Sequence, residues 1–282
     1  MASSVVRPQI VVVGRLPRLA NRLTVSASQS TDGRMTELRM SPLGAWSPDL
    51  EAAPPPPVTP IARAPRAPRP PLANPTELAA HLAARLCHDF ISPASAIMSG
   101  VDLLDDPTTQ DMREDAINLI STSAKKLADM LSFARVAFGA SAAAETFEAD
   151  ALRQLTQSVF THVRPSLDWQ VEIVQMQKPP ARALLNMAQI GASALPMGGV
   201  AVVRAVQNGA DIDITVDAKG PRARVRPEVL AGLRGEPAGE GLGGHWVQAF
   251  YLSALVHAAD GVCSAEVSED RVLISASIPN AN

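Results

Sequence analysis

LAARLCHDFISPASAIMSGVDLLDD, residues 82–106, is the stretch on which the fold turns. At 100° per residue counted from Leu78, the side chains of Leu82, Leu86, Phe90, Ile97, Val101 and Leu104 fall within roughly 40–140°. Ala79, Ala83, Cys87 and Ala94 fill the same broad sector, where Cys87 reads as a small packed residue. His88 lands at about 280°, on the wet side, with His81, Arg85, Ser92, Ser95, Ser99 and Asp102. The apolar phase is the same before and after Pro93, which predicts one helix bent at the proline rather than two elements. Proline there removes the N–H that would bond the carbonyl of Asp89, so the disturbed turn is the one that carries His88 and Asp89.

Asn74-Pro75-Thr76-Glu77 opens this helix with a capping residue, a first-turn proline and an acid. DDPTTQD (105–111) reads as a turn, and a second helix is expected over 111–138. Two long helices and a short loop make an antiparallel hairpin. Its apolar sector is wide for two helices, and a symmetric dimer closing a four-helix bundle buries it economically.

Upstream, residues 48–75 hold eleven prolines and no core-forming pattern, as in an extended polyproline-type spacer. Residues 1–47 are basic with little periodicity. They have the character of a dispensable tail, of a transit peptide, or of a start placed early, with Met35 and Met40 as later starts. Downstream the pattern changes: a helix over 150–162, a strand over 168–174, a helix over 179–196, strands over 198–207 and 212–217, a loop to about 238, a Gly-rich entry to a helix over 239–261, and a closing hairpin. This is α+β, a mixed sheet with helices on one face.

The bulk properties narrow the function. Residues 1–70 carry nine Arg against four acids, +5, so a net charge of −3 leaves −8 on the rest. That disfavours nucleic acid as a partner of the folded part. The two cysteines, Cys87 and Cys263, form no CxxC or metal-ligand spacing, which suits a reducing compartment. No apolar run approaches the ~18 residues of a membrane span. A cytoplasmic protein is expected.

His88 carries the chemistry. An exposed imidazole on a rigid helix is a nucleophile able to take a phosphoryl group and pass it on, given a neutral, accessible ring nitrogen and room for in-line attack. Asp89 is placed to orient the ring, and Arg85, Ser92 and Ser95 share its face, placed to meet a phosphoryl group or a docking domain. An exposed histidine alone is an ordinary surface residue; the proline five positions on and the α+β domain after the hairpin set this one apart. Arg222, Arg224 and Arg226 alternate in GPRARVRPE, either to meet an acidic partner or phosphate or as a solvated loop. His81 reads as solvated, His162, His245 and His257 have no convergent spacing, and Trp169 and Trp246 read as core.

Through LAARLCHDFISPASAI, KKLADMLSFARVAFGASA, GPRARVRPEVLAGL and GEGLGGHWVQA, the chain from about residue 76 to 281 resembles the ChpT-type histidine phosphotransferases of alphaproteobacteria. The resemblance implies three segments. Residues 1–75 are a disordered basic and Pro-rich tail. Residues 76–140 form the hairpin for dimerisation and histidine phosphotransfer. Residues 146–281 form a degenerate Bergerat-type α/β sandwich, like the ATPase domain of a histidine kinase. It implies that His88 is the phosphoacceptor, in a carrier that acts without ATP as a homodimer. The carrier would stand between the receiver domain of a hybrid histidine kinase and response-regulator receiver domains of a cell-cycle phosphorelay, with Mg²⁺ on the partner receiver and no cofactor of its own.

A nucleotide-binding kinase domain of this fold needs an Asn-rich helix, a D-x-G-x-G box and a G-x-G-L-G loop. Here Ser193 stands where the metal-binding Asn falls, leaving Asn186 a turn or two earlier. Asp217 opens DAKGP, with Lys219 and Pro221 in place of the glycines, and only Gly239, Gly241, Leu242 and Gly243 keep the third box. A glycine-rich helix entry cradles phosphate or allows tight packing. The alternatives are an ATP-dependent histidine kinase core and a non-catalytic dimeric adaptor that docks receivers.

Overall fold

The computed structural model describes residues 75–139, 145–236 and 244–280. The basic segment, most of the proline-rich stretch, most of the small-residue joint after the hairpin and the Gly239–Gly243 loop lie outside them. Helix α1 (Pro75–Asp105) runs unbroken through Pro93, whose ring is buried. The expected turn takes the form of a 3-10 helix, Pro107–Met112. Asp106 caps it by accepting from the Thr108 N–H at 2.8 Å and the Thr108 hydroxyl at 2.7 Å. Those bonds hold the Asp106 carboxyl below its ordinary value. Helix α2 (Arg113–Ala137) then folds back. At Gly100 the helices nearly touch: a Cβ there would stand 2.6 Å from Ile120 Cγ1 and 3.1 Å from the Ala116 carbonyl.

From that crossing the antiparallel register follows. At equal rise per residue, the end of α2 falls level with about His81. The first two turns of α1 therefore project beyond α2. They are covered instead by Trp246 and Phe250 of helix α6 (Gly244–Ala258), which pack on Leu78 and Leu82.

The rest is a mixed sheet with helices on one face. Between the elements named run β1 (Thr146–Glu148), α3 (Ala149–Phe160), β2 (Ser166–Val171), β3 (Gln175–Gln177), α4 (Lys178–Ser193), β4 (Val200–Asn208), β5 (Asp211–Lys219) and α5 (Pro227–Leu233); β6 (Val262–Ser268) and β7 (Arg271–Pro279) close the chain. The main sheet has the order β2-β4-β5-β7-β6. Only β2 and β4 are parallel. Alternation is clean: Ala201, Val203, Ala205, Ile212, Ile214, Val216, Ala218, Val272, Ile274, Ala276 and Ile278 are all fully buried. Helix α4 lies on this apolar face, so close that a Cβ on Gly191 would meet Val216 Cγ1 at 2.5 Å. The opposite face is more polar and carries side-chain pairs. Arg204 donates to Gln170 at 2.6 Å, and Arg271 forks onto Asp217 at 2.7 and 3.0 Å.

Two expectations need correction. The segment read as a loop to about residue 238 contains α5, begun by Pro227 and Glu228 and seated on α6 so tightly that a Cβ on Gly232 would lie 2.8 Å from the Trp246 carbonyl. Cys87 is exposed, not packed, because α2 covers only one side of α1 and Cys87 sits at the margin of its sector. The β1–β3 pair, three residues each, was not expected; strands that short leave no periodicity to read.

Candidate functional site

His88 stands in mid-helix with its side chain 89% exposed. Its Nδ1 is 3.4 Å from Asp89 Oδ1. Arg85, one turn earlier, places Nε 3.5 Å from Asp89 Oδ2, at the relaxed end of ion-pair distance. The Arg85 side chain is only 10% exposed. Burial pulls its guanidinium below the ordinary value, and the Asp89 charge works the other way. Arg85, Asp89 and His88 thus form a short chain along the helix: a nearly buried cation, a carboxylate with a partner on either side, and a bare imidazole. Ser92 and Ser95, one and two turns on, are exposed. With residue 93 lacking an N–H, the Asp89 carbonyl has no helical donor from that position.

The residues matched to a nucleotide site are engaged elsewhere. Asn186 is fully buried; its amide donates to the Ala137 carbonyl at 3.1 Å and the Arg182 carbonyl at 2.9 Å, and accepts from Gln248 at 3.2 Å. It is a strut between α4, the end of α2 and α6. The Ser193 hydroxyl donates back to the Gln189 carbonyl of its own helix at 2.9 Å. Asp217 faces the polar side of the sheet, held by Arg271 and by Lys219 at 2.8 Å. Burial pushes its carboxyl up, but the hydrogen bonds from Arg271 and Lys219 outweigh burial and hold it below the ordinary value. Among the described residues no cluster of His, Cys, Asp and Glu is placed to hold a metal ion.

Sequence reasoning missed three features near the hairpin. His162 is not isolated: its Nε2 lies 2.8 Å from Asp129 Oδ2, tying the α3–β2 loop to α2. Trp246 is buried as expected, but against α1 rather than in the main core. A second apolar stripe runs along the hairpin: Ile91 and Met98 on α1, seven apart, and Ile117 and Leu131 on α2, fourteen apart, are 63, 59, 47 and 47% exposed. Leu131 belongs to the apolar side expected for the second helix; Ile91, Met98 and Ile117 lie outside the expected sectors, although their heptad spacing was a readable signal. Arg222, Arg224 and Arg226 are exposed, and Arg222 takes a left-handed φ of 58° while its N–H donates to Asp270.

Residues 149–271 match the family model of the histidine phosphotransferase C-terminal domain. The chain is 35% identical over 202 residues to the protein phosphotransferase ChpT of Brucella abortus (strain 2308), covering 71% of this chain and 95% of that protein. It superposes on a solved structure described as a bacterial phosphotransferase at 1.7 Å with a TM-score of 0.66 and 32% identity, over 73% of this chain and 98% of that one. Hairpin, sheet domain and sequence together define the class as histidine phosphotransferase. The chain belongs to the ChpT-type family within it.

Proposed function

We propose that this chain carries a phosphoryl group on His88 between receiver domains of a two-component phosphorelay. The observation that supports it best is the ring itself: almost wholly exposed, with Nδ1 directed to Asp89, it leaves Nε2 facing solvent. In the first step Nε2 attacks the phosphorus of a receiver aspartyl phosphate. The N–P bond forms, the P–O bond to the aspartate breaks, and the aspartate leaves as a carboxylate. The imidazole gains positive charge, and the Nδ1 proton stays shared with Asp89, which Arg85 keeps oriented. The second step reverses this onto another receiver aspartate. Mg²⁺ belongs to the receiver in this scheme, where it neutralises charge on the transferring group.

The remaining assignments follow from the same reading. The chain works as a homodimer: the stripe of Ile91, Met98, Ile117 and Leu131 is the apolar surface a second hairpin would cover. Ser92, Ser95 and the row Arg222, Arg224 and Arg226 offer polar and basic contacts to an acidic receiver surface. Donor and acceptors would be a hybrid histidine kinase receiver and cell-cycle response regulators in the cytoplasm. No described helix is long and apolar enough to cross a membrane. Nucleotide takes no part, since Asn186 and Asp217 are committed to structural bonds.

The test uses purified wild type and His88→Ala, each incubated with labelled ATP alone and with a labelled phospho-receiver domain. Acid-labile label on wild type from the receiver only, and none on His88→Ala, is the expected result. Label from ATP alone would make the chain a kinase core; no label on wild type would leave a docking adaptor.

A further inference from the structure

The contact between α1 and α6 has no part in the transfer step above, yet it lies beside it. Trp246, 2% exposed, stacks on Phe250 with centroids 4.6 Å apart and meets His81 edge-on at 6.3 Å. Its indole N–H donates to the Glu236 carbonyl at 3.0 Å. Leu78 and Leu82 pack on the same cluster, which is separate from the main core. The indole is therefore committed on its face, its edge and its N–H. It is the main cover for the turns of α1 that project past α2.

His81 and His88 are seven residues apart, so they share a helix face to within about 20° and stand ~10 Å apart along the axis. A docking footprint of about 800 Å² reaches roughly 16 Å from its centre. A domain seated on His88 with such a footprint extends past His81, whose ring lies against Trp246 near the start of α6. Other joints between the hairpin and the sheet domain hold α2: Asn186 donates to the Ala137 carbonyl, His162 meets Asp129, and Phe133, Val136 and Ala137 pack into the main core. Among the described residues, the apolar cluster that joins the start of α1 to the sheet domain is the one around Trp246.

We propose that Trp246 is a positioning residue: by latching the first turns of α1 to α6, it fixes the sheet domain at the rim of the His88 surface and so sets how tightly a receiver domain docks. This rests on the carrier reading. With the latch open, the rim must be ordered afresh at each encounter, and that cost appears in docking rather than in chemistry.

The test compares two phosphoryl donors on the full chain. One is a receiver domain charged with labelled acetyl phosphate, which must dock. The other is phosphoramidate, too small to reach the rim; its P–N bond breaks, ammonia leaves, and the N–P bond to His88 forms. For Trp246→Ala, KM for the receiver rises about tenfold or more while kcat stays within about twofold, and phosphoramidate labels at the wild-type rate. Amide exchange over residues 76–84 quickens. Trp246→Phe, which keeps an aromatic stack, recovers most of the affinity. Leu82→Ala, on the α1 side of the latch, repeats the effect and covers the case in which Trp246→Ala fails to fold. An unchanged receiver KM in a variant whose 76–84 amides exchange faster overturns the proposal, as does equal loss from both donors. Wild type that takes label from neither donor sinks the carrier reading instead.

Discussion

At the scale of single residues, Asp89 is the side chain on which the reactivity of His88 would depend in the proposed transfer. It touches the imidazole at Nδ1 and is gripped in turn by Arg85. Asp89→Asn keeps the shape but loses the charge that matches an imidazolium, and transfer from a phospho-receiver is expected to slow about tenfold to a hundredfold. Rapid-quench labelling measures this, with circular dichroism confirming an unchanged helix. Asp217 gives a stability prediction with a definite sign. Its carboxyl is held below the unfolded value by Arg271 and Lys219. Its contribution is thus fully present above the ordinary carboxylate pKa of about 4 and fades as pH falls through the lower folded value. Arg271 and Lys219 are about half exposed, so the pairing contributes only about 1 kcal/mol. Asp217→Asn should lower the melting temperature at pH 7 and lose that deficit as pH falls through the lowered folded value.

At the scale of elements, the crossing of α1 and α2 is the sensitive point. Gly100→Ala gains up to about 1 kcal/mol in helix propensity. The added Cβ, however, falls 2.6 Å from Ile120 Cγ1. Overpacking of that kind costs about 1–3 kcal/mol, so the net effect should be destabilising, read as an earlier denaturant midpoint. Asn186→Leu should cost more, about 2–3 kcal/mol, since it strips the partner from the buried Ala137 carbonyl and from Gln248.

Both helices of the hairpin were legible because their apolar spacing spans many turns, and the alternation of β4, β5 and β7 made the sheet equally plain. Helix α5 escaped because two turns between an arginine row and a glycine leave too little pattern, although Pro227-Glu228 did signal its start. Of the site, the exposure of His88 and its nearness to Asp89 were readable from helical phase. The pairings His162–Asp129 and Trp246–Leu82 were not: they join positions far apart in the chain, and nothing local encodes them.

At the scale of the whole molecule, the exposed hairpin stripe is the surface on which the proposed homodimer would depend. Ile91→Glu combined with Met98→Glu should turn a dimer into a folded monomer, seen by sedimentation equilibrium at micromolar concentration. Two charges opposite a second apolar stripe would be buried unpaired there, while both positions lie in solvent within one chain.

The sheet domain has a different exposure. Among the described residues its outer strands, β2 and β6, have neighbours on one side only. Open strand edges invite templated pairing between chains, the route to amorphous precipitate and fibril. Both are short, six and seven residues. Asp168 and Gln170 stand on one and Ser264, Glu266 and Ser268 on the other, so each edge meets its own copy with like charge or a solvated hydroxyl. The side chains on these edge strands therefore work against a concentrated solution of this protein seeding on itself.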